Sequence, residues 1–190
     1  MSGAGPRPRG GGIALIGYRT SGKTTVGRLV ADRLGRSFLD SDAEVEKRTR
    51  RSIANYFKHA GPIGFPDVGF RYEESRTIHD LCRESPRAVL ATGGGAVLLD
   101  SNRDVLRCFG LVVWLCAPAS LLIERLRLDP GGRPALTALG LLDEVVHLLE
   151  EREPLYRAAA DLIVDASADP QTVADEIVRV VGSEAKGGAT

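Results

Sequence analysis

The stretch "GGIALIGYRTSGKTT" (Gly11–Thr25) limits what this chain can fold into more than any other part of it. The apolar run at its start reads as a short buried strand ending at Gly17. From Gly17 to Thr24 the residues follow G-x-x-x-x-G-K-[ST] without a gap, and Val26, Leu29, Val30 and Leu34 then recur at helical spacing. Strand, glycine-rich loop and helix, in that order, turn successive backbone N–H groups around an anion and aim the positive end of the helix dipole at it. That is the arrangement that holds a nucleotide triphosphate. The loop from Gly17 through Thr20, Ser21, Gly22 and Thr25 is expected to cradle the phosphates. Lys23 is expected to reach the β- and γ-phosphates, and the Thr24 hydroxyl to ligate Mg²⁺. A glycine-rich turn that merely contains a lysine would not need a strand before it and a helix after it.

Four more apolar runs read as strands: Ser37–Asp40, Ala88–Thr92, Leu111–Cys116 and Asp161–Asp165. Helical patterns separate them, among them Ser120–Arg127, Leu141–Glu151 and the series Val173, Ile177, Val181, which follows a capping Asp169 and a first-turn Pro170. Continuously apolar strands alternating with helices predict a parallel sheet covered on both faces, an α/β fold in three layers. The 190 residues suit one domain. It is predicted over 12–182, with flexible tails at 1–11 and 183–190.

Composition excludes several classes. The formal net charge is zero, so nothing draws the chain in bulk to nucleic acid or to an anionic membrane. The longest apolar run, "GLVVWLCAPA", is too short to span a bilayer, and "MSGAGPRPRGGG" does not read as a secretion signal. Cys82, Cys108 and Cys116 have no metal-like spacing and are read as buried reduced thiols, which fits a cytoplasmic protein. His59, His79 and His147 are scattered and read as non-catalytic. A monomer is expected. Arginines number 21 against four lysines, so a single arginine means little without a motif around it.

A nucleotide triphosphate brings Mg²⁺, and the metal calls for a carboxylate near it. "AVLAT" ends in Thr92 and offers none, which leaves Asp40 at the end of "SFLD" and Asp165 at the end of "DLIVD". Asp40 is followed by Asp42. In an extended stretch D-x-D puts both side chains on one face, one for the metal and the other to accept a proton from an acceptor hydroxyl. Asp165 is read as a turn residue near the nucleotide base. Two segments have no core pattern: Ser52–Phe70, too rich in Gly and Pro for one helix, and Leu128–Thr137, a Gly/Pro loop. Acceptor sites and lids sit in such interruptions.

In order, "GYRTSGKTT", "FLDSD", "FRYEE" (Phe70–Glu74), "ATGGGAV" (Ala91–Val97), "RP" (Arg133–Pro134) and "PLYR" (Pro154–Arg157) resemble the shikimate kinase family, from Ile13 to Val181. The resemblance implies a P-loop NTPase fold with a five-stranded parallel sheet, an acceptor-binding region at about 41–75 and a lid at about 125–138. It implies ATP and shikimate as substrates, with phosphorylation of the shikimate 3-hydroxyl in aromatic amino acid biosynthesis. By motif, Thr24 and Asp40 take the metal side, and Asp42 binds the acceptor hydroxyls and acts as base. Arg71 and Arg157 hold the carboxylate, with Glu74 orienting Arg71. Gly93, Gly94 and Gly95 form the wall against the ring, Arg133 closes from the lid, and Arg125 and Pro170 sandwich adenine.

Elementary chemistry agrees with these roles. A carboxylate with several hydroxyls calls for guanidinium forks on the acid and a carboxylate on the hydroxyls. Three glycines after a buried strand let backbone approach a ligand closely. The connection before Phe70, "HAGPIGFPDVGFR", is longer than the family's by roughly five residues and lacks its Gly-Glu. Two other readings stay open: a different small-molecule P-loop kinase, such as a gluconate-type enzyme, and a nucleotide-binding module without turnover.

Overall fold

The computed structural model describes residues 10–58, 68–128 and 141–187. Five strands, β1 (Gly12–Ile16), β2 (Phe38–Asp40), β3 (Val89–Ala91), β4 (Gly110–Cys116) and β5 (Leu162–Asp165), form one sheet in the order β2-β3-β1-β4-β5. Every pairing is parallel. Each apolar run of the sequence is thus a strand, with ends shifted by at most one residue.

Alternation along the strands explains why both faces are covered. Ile13 and Leu15 of β1, with Leu111, Val113 and Leu115 of β4, point into one core, while Ala14, Ile16, Val112 and Trp114 point into the other. Helix α1 (Lys23–Leu34), α6 (Ala119–Leu128) and α8 (Pro170–Gly187) close the first face, and α4 (Val68–Glu84) and α5 (Asp100–Phe109) close the second. Helix α7 (Leu141–Ala159) serves both, giving Val145 and Leu148 to the first core and Tyr156 and Ala159 to the second. A third, smaller cluster of Val45, Tyr56 and Phe70 joins α2 (Ser41–Thr49), α3 (Ile53–Lys58) and α4.

Three expectations change. Residues 183–187, read as tail, continue α8, because Glu184, Ala185 and Lys186 are good helix formers in phase with a helix already nucleated. Cys108 is exposed rather than buried, and Cys82 and Cys116 are half-buried; all three are free thiols. The stretch Ser52–Phe70, read as having no core pattern, gives Tyr56 and Phe70 to the third core cluster, and its residues 59–67 lie outside the described residues. Residues 129–140, with most of the expected lid and Arg133, lie outside the described residues.

Candidate active site

The loop after β1 is built on unusual backbone. Gly17 sits at φ 142°, and a Cβ there would lie 2.7 Å from the Leu115 carbonyl oxygen of the neighbouring strand. Thr20, at φ 61°, is one of two non-glycine residues with positive φ among the described residues, and its hydroxyl donates to the Arg19 carbonyl at 2.6 Å. Strain of this kind persists where the surroundings over-determine a functional loop. Gly22, left-handed at φ 97°, caps α1. The buried Lys23 ammonium donates to the carbonyls of Gly17 (2.9 Å) and Tyr18 (2.7 Å), holding the loop closed on itself.

This loop borders a cavity of about 550 Å³ that is also lined by Thr24, Thr25, Asp40, Arg125 and Pro170. The Arg125 guanidinium donates to the Ala166 carbonyl at 3.0 Å and to the Thr20 carbonyl at 3.4 Å, clipping the loop to the chain after β5. Arg125 and Pro170, expected on the two faces of adenine, therefore share one cavity.

Asp40 uses both carboxylate oxygens. Oδ1 accepts the backbone N–H groups of Asp42 (3.1 Å) and Ala43 (3.3 Å), capping α2, and Oδ2 accepts the Thr24 hydroxyl at 2.8 Å. The D-x-D pair is consequently not extended. Asp40 ends β2 and Asp42 lies in the first turn of α2, because the capping bonds favour helix over continued strand. Both still reach the same cavity. Two adjacent hard oxygen donors fit Mg²⁺, which takes few protein ligands and completes its shell with water and phosphate. Among the described residues no group of three His, Cys, Asp or Glu forms a metal cage. Asp165, expected in a turn, is instead the last residue of β5, and the turn begins after it; its Oδ1 accepts the Ser167 N–H at 2.8 Å, and that bond holds its carboxyl below the usual range.

A second cavity adjoins the first. Arg19, Asp42 and Gly94 line both. Deeper in lie Arg71, Glu74 and Arg152, with Phe57 and Phe70 from the small aromatic cluster. Arg71 Nη1 donates to Glu74 Oε2 at 2.5 Å, one turn along α4. Burial pushes the Glu74 carboxyl up, the Arg71 guanidinium pulls it back, and the Asp42 carboxylate adds to the upward push. Gly93 and Gly95 owe their place to these side chains, and Gly94 to the backbone of the phosphate loop at Arg19. A Cβ on Gly93 would lie 2.6 Å from carboxylate oxygens of both Asp42 and Glu74, and one on Gly95 would overlap the Arg71 guanidinium. The close approach expected of a ligand is first of all made by the protein's own acids and arginine.

Arg157 is not in this cavity. It is exposed, donates to Glu153 at 2.8 Å one turn back, and stacks 5.4 Å from the Trp114 ring. The arginine of α7 that lines the cavity is Arg152, which is buried, with its Nε lacking a hydrogen-bond partner among the described residues.

A family model described as shikimate kinase matches residues 19–182. The chain belongs to the shikimate kinase family. It is 39% identical over 167 residues to shikimate kinase 2 of Escherichia fergusonii, covering 87% of this chain and 88% of the relative. It is 43% identical over 156 residues to the shikimate kinase of Nitrosomonas europaea, covering 82% and 71%. The solved shikimate kinase of Acinetobacter baumannii in complex with shikimate superposes with a TM-score of 0.82 at 35% identity, over 93% of this chain and 96% of that one. As a shikimate kinase, the chain is an ATP-dependent kinase acting on a shikimate hydroxyl.

Within this family's frame, helical phase separates the two arginines of α7. Glu144, Leu148, Arg152 and Tyr156 repeat every four residues and are all buried, so they mark the inner face of the helix. Arg157 falls about 100° further round, with Glu153 four residues before it on the outer face. The sequence therefore carried the signal for Arg152, in the period of α7 rather than in the "PLYR" motif. Arg19, which also lines the cavity, stands at a variable position of the loop pattern, where no local rule points to it.

Proposed function

We propose that the chain transfers the γ-phosphate of Mg·ATP to the 3-hydroxyl of shikimate across the junction where Arg19, Asp42 and Gly94 border both cavities. One observation carries this reading: Asp42 lines both the loop cavity and a second cavity that is also lined by two guanidiniums, the half-buried Arg71 and the buried Arg152. A carboxylate with several hydroxyls suits that pairing of charges.

Arg71 and Arg152 bind the shikimate carboxylate, and Glu74 holds Arg71 in its rotamer through their ion pair. Asp42 accepts the proton of the hydroxyl as its oxygen attacks the γ-phosphorus in line. The bond to the β–γ bridging oxygen breaks and ADP leaves. Lys23, released from the loop carbonyls it now holds, follows the charge on the β- and γ-phosphates. Thr24 and Asp40 are the residues that would hold Mg²⁺, which supplies neutralisation of phosphate charge when bound. Arg133 is assigned the closing role on the lid. The intact set of Lys23, Asp40, Asp42 and Arg71 favours turnover over a module that only binds nucleotide. Analysis of the product by proton and phosphorus NMR tests the assignment: phosphate on the 3-hydroxyl supports it, and phosphate on another hydroxyl contradicts it.

A further inference from the structure

Four buried charged groups have been given work: Lys23, Glu74, Arg152 and, at the junction, Arg19 as a lining residue. Glu144 has none. It is fully buried in the first turn of α7, lines neither cavity, and accepts a hydrogen bond from Arg19 Nη2 across 125 residues of chain. Both side chains of this ion pair are withdrawn from water, at 6% and 0% exposure. Burying two charges is costly, and two well-packed apolar residues would serve stability at least as well. The pair therefore calls for a role other than holding the fold together.

Its place suggests one. Arg19 belongs to the phosphate loop, and its backbone N lies 3.1 Å from where a Cβ on Gly94 would be. Two turns of α7 beyond Glu144 comes Arg152, and one further turn brings Tyr156, whose hydroxyl donates to the Gly94 carbonyl at 2.5 Å. Helix α7 is thus held at two points, to the phosphate loop at Arg19–Glu144 and to the glycine run after β3 at Gly94–Tyr156, with Arg152 between them. Tyr18 senses the same group: burial pushes its phenol up, and the charges acting on it are Arg19, Glu144 and Arg152.

We propose that the buried Arg19–Glu144 pair is a positioning device that sets α7, and with it Arg152, at a fixed distance from the phosphate loop, so that the acceptor hydroxyl meets the γ-phosphate in line. The inference rests on the reading of the second cavity as the shikimate site. Glu144 is a positioning residue, since it touches neither substrate; a small misplacement of reacting groups is enough to slow transfer greatly.

The test is Glu144→Gln, which keeps length and volume and removes the charge, with Glu144→Asp as a second variant that keeps the charge and shortens the reach. Wild type, Glu144→Gln and Glu144→Asp are compared for kcat, for the KM of shikimate, for the Kd of ATP and for Tm. The expected result is a fall in kcat/KM for shikimate of about tenfold or more in Glu144→Gln, with ATP affinity within about twofold of wild type. Glu144→Asp recovers part of the loss. If Glu144→Gln is folded and turns over shikimate as wild type does, the proposal is overturned. It is equally overturned if ATP affinity, shikimate KM and Tm all worsen together, since that is the signature of a purely structural pair. Should Glu144→Gln fail to fold, Glu144→Asp decides by the same split between the two substrates. Absence of shikimate turnover in the wild type would instead remove the acceptor reading on which the inference rests.

Discussion

Tyr156 of α7 donates its hydroxyl to the carbonyl oxygen of Gly94 at 2.5 Å, joining the helix that carries Arg152 to the glycine run that follows β3. Tyr156 is buried and also stacks on Trp114 of β4, with ring centroids 5.7 Å apart. Helix α7 is therefore registered against the sheet at the level of the acceptor cavity. Burial pushes the Tyr156 phenol above its ordinary value, so it remains a protonated donor at neutral pH.

The two arginines of α7 separate in function. Arg152→Ala raises the KM of shikimate about 10- to 100-fold, the range of a lost hydrogen-bonded charge contact, and leaves ATP binding as it was. Arg157→Ala changes neither by more than about twofold, since among the described residues Arg157 makes only an exposed pair and a ring contact. Steady-state kinetics of both variants decide the matter. The opposite pattern would return the carboxylate site to Arg157.

Asp42→Asn lowers kcat by about 10²- to 10⁴-fold, the usual contribution of a positioned acid or base, while ATP affinity stays within about twofold. Calorimetric titration with a non-hydrolysable ATP analogue, beside the turnover assay, checks both halves. A fast Asp42→Asn enzyme would mean that the hydroxyl is deprotonated elsewhere.

Gly95→Ala places a methyl group on the Arg71 guanidinium. The side chain has to leave its position against Glu74, so shikimate KM rises about tenfold with little change in ATP affinity. An unchanged KM would show that Arg71 binds the acceptor from another rotamer.

The thiols differ in reactivity. Burial pushes the Cys82 thiol up to about 12, so almost no thiolate forms at pH 8, whereas Cys108 is exposed. A thiol reagent at that pH modifies Cys108 first, and Cys108→Ser removes the fast phase. A fast phase that survives this substitution contradicts the assignment.

Much of this was legible because the signals are local. The strands announce themselves as short apolar runs, and the loop from Gly17 to Thr25 carries its own backbone chemistry. Asp169 and Pro170 mark the start of α8, with the Asp169 carboxylate accepting the Gln171 N–H at 2.8 Å as a cap. Where two local rules competed, the reading went astray. D-x-D suggested an extended pair, but an aspartate at a strand end is also a helix cap, and capping won. Arg152 and Arg157 lie in one short stretch, and only the buried period of α7 tells them apart. The Arg19–Glu144 pair spans 125 residues and is set by how α7 lies over the strand ends, a relation no local pattern encodes.

The account's central claim is that the second cavity takes shikimate and passes it the phosphoryl group. ADP release from Mg·ATP, measured with shikimate, with gluconate, with a nucleoside monophosphate and with no acceptor, tests it most directly. The account predicts rapid ADP release with shikimate and only background with the other three. Rapid release with gluconate or the nucleotide, and background with shikimate, would contradict it.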